Sequence, residues 1–321
     1  MLKKIVKKLL CGLGRYYYRT RFYEPVYCNI FNRKGRRLYR QNTNYLSREE
    51  ESIVSKIKEN GIAISHVKDI GLEGFYLLLK NDAEKRLSDS HVEEQVRSRS
   101  DFLLGNKIKS KDYFLIDLIR QESVLDAQNP FIKFSLSPPI LNIVNSYLKL
   151  FSKFRGSDLK ATIPMPEGAR NYASQQWHRD PEDKRLVKVF LYLNDVDQSS
   201  GPFNYLKYSH DGGRWRELFP MQPPSGSIKM PFDVDSKIPK EDVLTCTGPA
   251  GTIIFCDTSG LHKGGYSTEK SRIMYTSTFT SEASVCPIRY TYSKEFSLAG
   301  LSPQVAYALE NDLGQKEPKY Y

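Results

Sequence analysis

No CxxC pair occurs in this chain, whose five cysteines (Cys11, Cys28, Cys246, Cys256 and Cys286) are scattered and odd in number. That pattern argues against a disulfide framework and against a structural zinc site. It suits a reducing, cytoplasmic setting. No run of 18 apolar residues is present, so nothing reads as a membrane-spanning helix. Lys7 and Lys8 interrupt the N-terminal apolar residues and no small-residue cleavage site follows them, so no signal peptide is expected. The final Lys319-Tyr320-Tyr321 is not a peroxisomal address. Internal repeats and low-complexity linkers are missing. RNP-like runs, zinc fingers and helix-turn-helix patterns are missing too, so nucleic acid is not expected as a partner, despite a net charge of +11 and 21 tyrosines. Histidine is scarce: only His66, His91, His178, His210 and His262 occur in 321 residues, which makes the surroundings of each informative.

What is present is ordinary globular composition, 40% hydrophobic and 26% charged. A chain of this length can bury a large core without metal or disulfide support. One main domain is expected over residues 46–300, with a basic, partly irregular extension (1–45) before it and a tail (301–321) after it. Within the extension, Lys3, Lys4, Lys7, Lys8, Arg15, Arg19 and Arg21 precede the first acid, Glu24. Leu2, Ile5, Val6, Leu9, Leu10 and Leu13 fall at helical spacing among the lysines. Three readings stand for residues 1–14: an amphipathic helix (2–13) lying on an anionic membrane surface, one docking on its own domain, or a frayed basic terminus.

Residues 15–45 show no clear periodicity and read as extended or irregular. Ser47-Arg48-Glu49-Glu50 is a capping-box pattern; the helix it opens, marked by Ile53 and Ile57, stops at Asn60-Gly61. A strand follows from Gly61 to Val67. Residues 81–101 are mostly polar and read as surface helix or loop. Pro138 and Pro139 open a helix over 138–151. After residue 158 short β-rich runs recur, at 158–164, 173–180, 186–194, 202–206, 226–230, 250–256 and 272–280. Turns at Pro166-Glu167-Gly168, Ser199–Pro202 and Ser225-Gly226 separate them. Such spacing predicts a mainly β sandwich or jelly roll with flanking helices.

His178-Arg179-Asp180 ends one of these strands. Side chains two apart on a strand share a side, so the imidazole and carboxylate can converge on one ion, while Trp177 and Arg179 face away. His262 follows another apolar strand, Gly251–Cys256. Two histidines and a carboxylate form a facial triad that suits iron(II) and leaves coordination positions open. Alone, a His-x-Asp pair is weak evidence. His66 reads as a strand-end residue, His91 as surface and His210 as a turn residue. Arg272 lies ten residues past His262, on the strand expected over Ser271–Phe279. Its guanidinium can receive a carboxylate through two parallel hydrogen bonds, as lysine cannot.

His178-Arg179-Asp180, Gly201-Pro202-Phe203 through Lys207-Tyr208-Ser209-His210, Gly251-Thr252 through His262-Lys263-Gly264, and Arg272 occur in the order of the phytanoyl-CoA dioxygenase family, which this chain resembles over roughly residues 138–282. The resemblance implies a double-stranded β-helix (jelly roll, cupin-like) with N-terminal and flanking α-helices. It also implies iron(II) held by His178, Asp180 and His262, and 2-oxoglutarate held by Arg272 with Phe190 beside it. The implied activity is a dioxygenase that hydroxylates a small organic substrate and releases succinate and CO2. Asp180 stands where related halogenases carry Gly or Ala, which favours hydroxylation. The substrate is left open: acyl thioester, lipid, sugar or natural product, with the positive charge favouring an acidic or carrier-linked molecule. A cupin-like isomerase or metal-binding protein that does without 2-oxoglutarate is the alternative.

Overall fold

A computed structural model describes residues 16–17, 19–42, 45–105, 114–119, 124–125, 129–166, 173–220, 233–285, 288, 290–292 and 296–310. The amphipathic run 2–13, the strand expected at 226–230, the turn at Ser225-Gly226, most of the turn at 166–168 and the end of the tail lie outside these residues.

Eleven strands are described: β1 (Ile62–His66), β2 (Leu115–Asp117), β3 (Val124–Leu125), β4 (Lys153–Thr162), β5 (Leu186–Tyr192), β6 (Phe203–Leu206), β7 (Val243–Cys246), β8 (Thr252–Asp257), β9 (His262–Lys263), β10 (Ile273–Thr280) and β11 (Thr291–Tyr292). Six of them form a fully antiparallel sheet in the order β1-β8-β5-β10-β4-β2, and β7-β6-β9 form a second antiparallel sheet. The two sheets face each other across Ile62, Phe190, Tyr192, Ile254 and Cys256 from the large one and Phe203, Tyr205 and Cys246 from the small one. The result is the expected jelly roll, flanked by helices.

Residue parity explains how one sheet serves two faces. Successive strand side chains point to opposite sides. On β5, Val187, Val189 and Leu191 join the core under the helices, while Phe190 and Tyr192 turn inward. On β8, Ile253 and Phe255 face the helices, and Ile254 and Cys256 the interior. Tyr275 and Phe279 of β10 continue the outer core. Both faces are therefore buried, and the strands read as apolar runs broken by a few inward polar residues.

The helices α1 (Arg33–Gln41), α2 (Arg48–Asn60), α3 (Glu73–Leu87), α4 (Ser90–Gly105), α5 (Pro130–Ser135), α6 (Pro138–Leu148), α7 (Val234–Lys237) and α8 (Pro303–Leu309) flank the sheets. In α2 the Ser47 hydroxyl accepts from Glu50 N, and Glu50 accepts from Ser47 N at 2.7 Å. Such a cap contributes about 1 kcal/mol. Gly61 ends the helix at φ 81°, and a Cβ there would sit 2.3 Å from Tyr205 Oη, so conformation and space both demand glycine. Three cysteines, Cys28, Cys246 and Cys256, are free thiols.

The stretch 15–45, expected to be extended or irregular, is largely helical. Its helix α1 is too polar to show periodicity and is held by tertiary contacts: Phe151 N donates to Gly35 O at 3.1 Å, and a Cβ on Gly35 would meet Tyr307 Oη at 2.8 Å. Residues 81–101 are also helical, within α3 and α4. The expected strand at 173–180 is instead a 3-10 turn (Ala173–Gln175) leading to a single β-bridge at His178. Helix α8 buries Tyr307, Ala308 and Leu309, and Lys153 Nζ donates to Tyr307 O at 3.0 Å.

Asp183, fully buried, accepts from Lys184 N (2.7 Å) and Ser281 N (2.6 Å). Burial outweighs these bonds and pushes its pKa up to about 6. A raised folded-state pKa means that the associated stability is complete below the unfolded carboxylate value and is lost as pH rises through 6. Relative to Asp183→Asn, the native protein should gain about 2 kcal/mol between about pH 7 and about pH 4.5. Urea unfolding of both proteins at the two pH values checks this, and an unchanged stability difference would refute it.

Candidate metal centre

His178 and His262 come together through backbone pairing. His178 N donates to His262 O at 2.9 Å and His262 N to His178 O at 3.0 Å, with Asp180 N donating to Thr258 O at 2.9 Å. Directly opposed residues on an antiparallel pair share a side, as do residues two apart along one strand. The ring centroids are accordingly 4.2 Å apart, and Asp180 Oδ2 lies 3.7 Å from His262 Nε2. One ligand atom from each of the three residues lies within 4.8 Å of the others.

The tautomers follow from the carbonyls. His178 Nδ1 is 2.8 Å from Gln176 O, and His262 Nδ1 is 2.9 Å from Gly260 O. A carbonyl only accepts, so each Nδ1 carries the hydrogen and each Nε2 keeps its lone pair for a cation. Burial, with His178 adding to it, pushes the His262 pKa down to about 3 against the opposing pull of Asp180, so this ring is neutral. Burial alone would raise the Asp180 carboxyl. The Lys188 ammonium, His262 and His178 together outweigh it, and the group is held well below the ordinary carboxylate range.

Arg179, between two candidate ligands, points away from them and is structural. Its buried guanidinium donates to the carbonyls of Ser209, Ser259, Trp215, Arg216, Leu218 and Phe219. Those bonds tie the segment 178–180 to the 209–219 loop and to the turn before His262. Trp177 is likewise buried and donates from Nε1 to Asp235 at 2.9 Å. His66 ends β1, His91 is exposed, and His210 sits in a turn with Nε2 3.1 Å from Lys58 O. Ser209 Oγ donates to Leu206 O and accepts from Leu261 N at 2.7 Å, which braces the same turn.

A cavity of about 170 Å³ opens beside the three residues, lined among others by His178, His262, Phe190, Lys188, Thr162 and Arg272. Arg272 immediately precedes β10 and is 5% exposed. Its Nη1 donates to Gly201 O, and Nε has no partner. Gly201 offers that carbonyl from a φ of 69°, at a spot where a Cβ would lie 2.7 Å from Ser267 N. No acidic side chain among the described residues pairs with Arg272, and burial lowers its pKa. A buried cation without a carboxylate is costly, and a bound anion would relieve that cost. Phe190 lines the cavity with its ring 4.7 Å from that of Phe203.

Lys188 is the residue that sequence reasoning missed. Its Nζ is 2.6 Å from Asp180 Oδ2. The available signal was parity: Lys188, Phe190 and Tyr192 alternate along one face of β5, and a lysine inside an otherwise apolar strand needs a partner. Asp158, Lys160 and Thr162 of β4 reach the cavity by the same rule.

No family model matches the sequence, and no curated protein matches it. Several solved structures are similar in fold over most of the chain. The non-haem alpha ketoglutarate dependent carbocyclase SnoK from nogalamycin biosynthesis shares 15% identity over 74% of this chain and 84% of its own, with a TM-score of 0.46. EctD from S. alaskensis, solved with 2-oxoglutarate and 5-hydroxyectoine, shares 14% over 78% and 89%, with a TM-score of 0.48. The epimerase SnoN, in complex with Fe3+, alpha ketoglutarate and nogalamycin RO, shares 13% over 73% and 84%, with a TM-score of 0.43. These likenesses are too distant to carry chemistry from one protein to another.

Proposed function

We propose that this protein is a non-haem iron(II), 2-oxoglutarate-dependent dioxygenase that hydroxylates a small organic substrate, in the manner of the phytanoyl-CoA dioxygenase family. One observation carries the reading: two imidazoles and a carboxylate cluster beside a cavity lined by a buried arginine with which no described acid pairs. The donor set of two nitrogens and one oxygen fits iron(II) and leaves positions for a chelating cosubstrate and dioxygen. Bound there, the metal and 2-oxoglutarate would supply the oxygen-activation chemistry that no side chain here possesses, with 2-oxoglutarate leaving as succinate and CO2.

The chain's own residues do the rest. His178 and His262 hold their Nε2 lone pairs in place through the Gln176 and Gly260 carbonyls. Asp180 contributes one negative charge, which Lys188 keeps ionised. Arg272, its Nη1 held by Gly201 O, would receive the far carboxylate of the cosubstrate. Phe190 and Phe203 form an apolar wall that excludes water. A cupin-like isomerase or metal-binding protein without 2-oxoglutarate would leave the buried Arg272 charge without a task. Asp180 occupies a coordination position that a halide would need, so hydroxylation is preferred.

Anaerobic titration with iron(II) and 2-oxoglutarate tests the proposal. A weak visible charge-transfer band should appear only when both are present, and succinate should form once oxygen and a substrate are added. Iron binding with no band on adding 2-oxoglutarate would refute the cosubstrate.

A further inference from the structure

The positive charge of this protein lies at one end. Residues 1–48 hold 13 Lys and Arg against one acid, Glu24, for a net +12. The whole chain is +11, with 48 basic and 37 acidic residues, so residues 49–321 hold 35 basic against 36 acidic, a net −1. A charge distributed for solubility alone would not segregate in this way.

The described part of that end is built as a surface. Arg21 anchors it, with Nε donating to Ala283 O at 2.7 Å and the guanidinium 4.1 Å from the Phe31 ring. Gly35 presses α1 against Tyr307 on one side. On the other side Arg33, Arg37 and Arg40, at i, i+4 and i+7, form one exposed stripe with no ion pair to a described residue. Exposed apolar side chains accompany them. Of eight large hydrophobics exposed among the described residues, five fall within residues 16–45: Tyr16 (74%), Tyr17, Tyr23, Ile30 (67%) and Tyr45 (101%). Beside α1, a groove of about 560 Å³ is lined by Arg36, Arg40, Lys58 and Lys149, with Glu51 the one acid among its lining residues.

Basic residues interleaved with exposed tyrosines and an aliphatic set are what a bilayer interface rewards. The ammonium and guanidinium groups meet headgroup phosphates, and the aromatic and aliphatic groups enter the acyl boundary. We propose that the described residues between 16 and 45 form a peripheral membrane-binding surface that seats this protein on a bilayer containing anionic phospholipid. Headgroup phosphates lie against Arg33, Arg37, Arg40 and the neighbouring groove. Leu2, Ile5, Val6, Leu9, Leu10 and Leu13, spaced among lysines, extend the same chemistry in sequence. Nucleic acid shares the attraction for basic residues but has no use for aliphatics spaced among them in sequence. The inference is independent of the metal centre.

Vesicle flotation of the full chain tests it. The protein should float with phosphatidylcholine vesicles containing phosphatidylserine, not with phosphatidylcholine alone, and added salt should release it. Arg33→Gln/Arg37→Gln/Arg40→Gln should lower the partition coefficient about a hundredfold, with the thermal unfolding midpoint unchanged as proof of folding. Lys68→Gln/Lys80→Gln/Lys270→Gln, an equal loss of charge elsewhere, should bind like the native chain. Equal recovery with neutral and anionic vesicles, equal loss in both triple variants, or tighter binding to single-stranded RNA than to anionic vesicles at matched salt would each overturn the proposal.

Discussion

Asp180→Asn is expected to abolish tight iron(II) binding and to lower succinate formation at least about a thousandfold, because a metal-supported step loses several kcal/mol of charge stabilisation. Asparagine keeps the shape and removes the charge. It also leaves Lys188, 2.6 Å away in the native protein, facing a neutral amide. His262→Ala should act on the metal alike, since the replacement offers no lone pair. Metal content of the purified variants and oxygen-dependent succinate release provide the measurements. Native metal affinity in either variant would remove residues 178, 180 and 262 from consideration as a ligand set.

Arg272→Met should weaken 2-oxoglutarate binding about a hundredfold or more, since truncating one partner of a buried charge pair costs 2–5 kcal/mol or so. Metal affinity should persist, because Arg272 is not among the three clustered ligand residues. The ligand-free variant should be at least as thermally stable as the native chain: methionine fills similar space and removes a buried cation with no described acid partner. Arg272→Lys should restore part of the affinity, keeping the charge without the fork. The titration band read at increasing 2-oxoglutarate separates the variants. A destabilised Arg272→Met with unaltered 2-oxoglutarate affinity would make this arginine a structural ion.

Much of the fold was legible because alternation is local. The runs 186–194 and 272–280 contain β5 and β10, 250–256 covers all of β8 but Asp257, and the capping box at Ser47–Glu50 with the stop at Gly61 bounds α2. Helix α1 was not legible: five of its nine residues are basic, and the contacts that hold it come from Phe151 and Tyr307, far along the chain. The segment before His178 was misread as a strand because its pairing is a single bridge, made only after the turn at Ser259-Gly260 brings His262 alongside.

By itself the sequence determined which side chains are available and which of them share a face, since the period of a strand is set by each residue's own backbone. It singled out two histidines, one aspartate and one arginine by type and spacing. Only the tertiary structure decided that the histidine rings lie 4.2 Å apart, that Lys188 touches Asp180 and that no described acid reaches Arg272. Those facts depend on sheet closure and on burial, which remove water from groups that the linear order leaves unrelated.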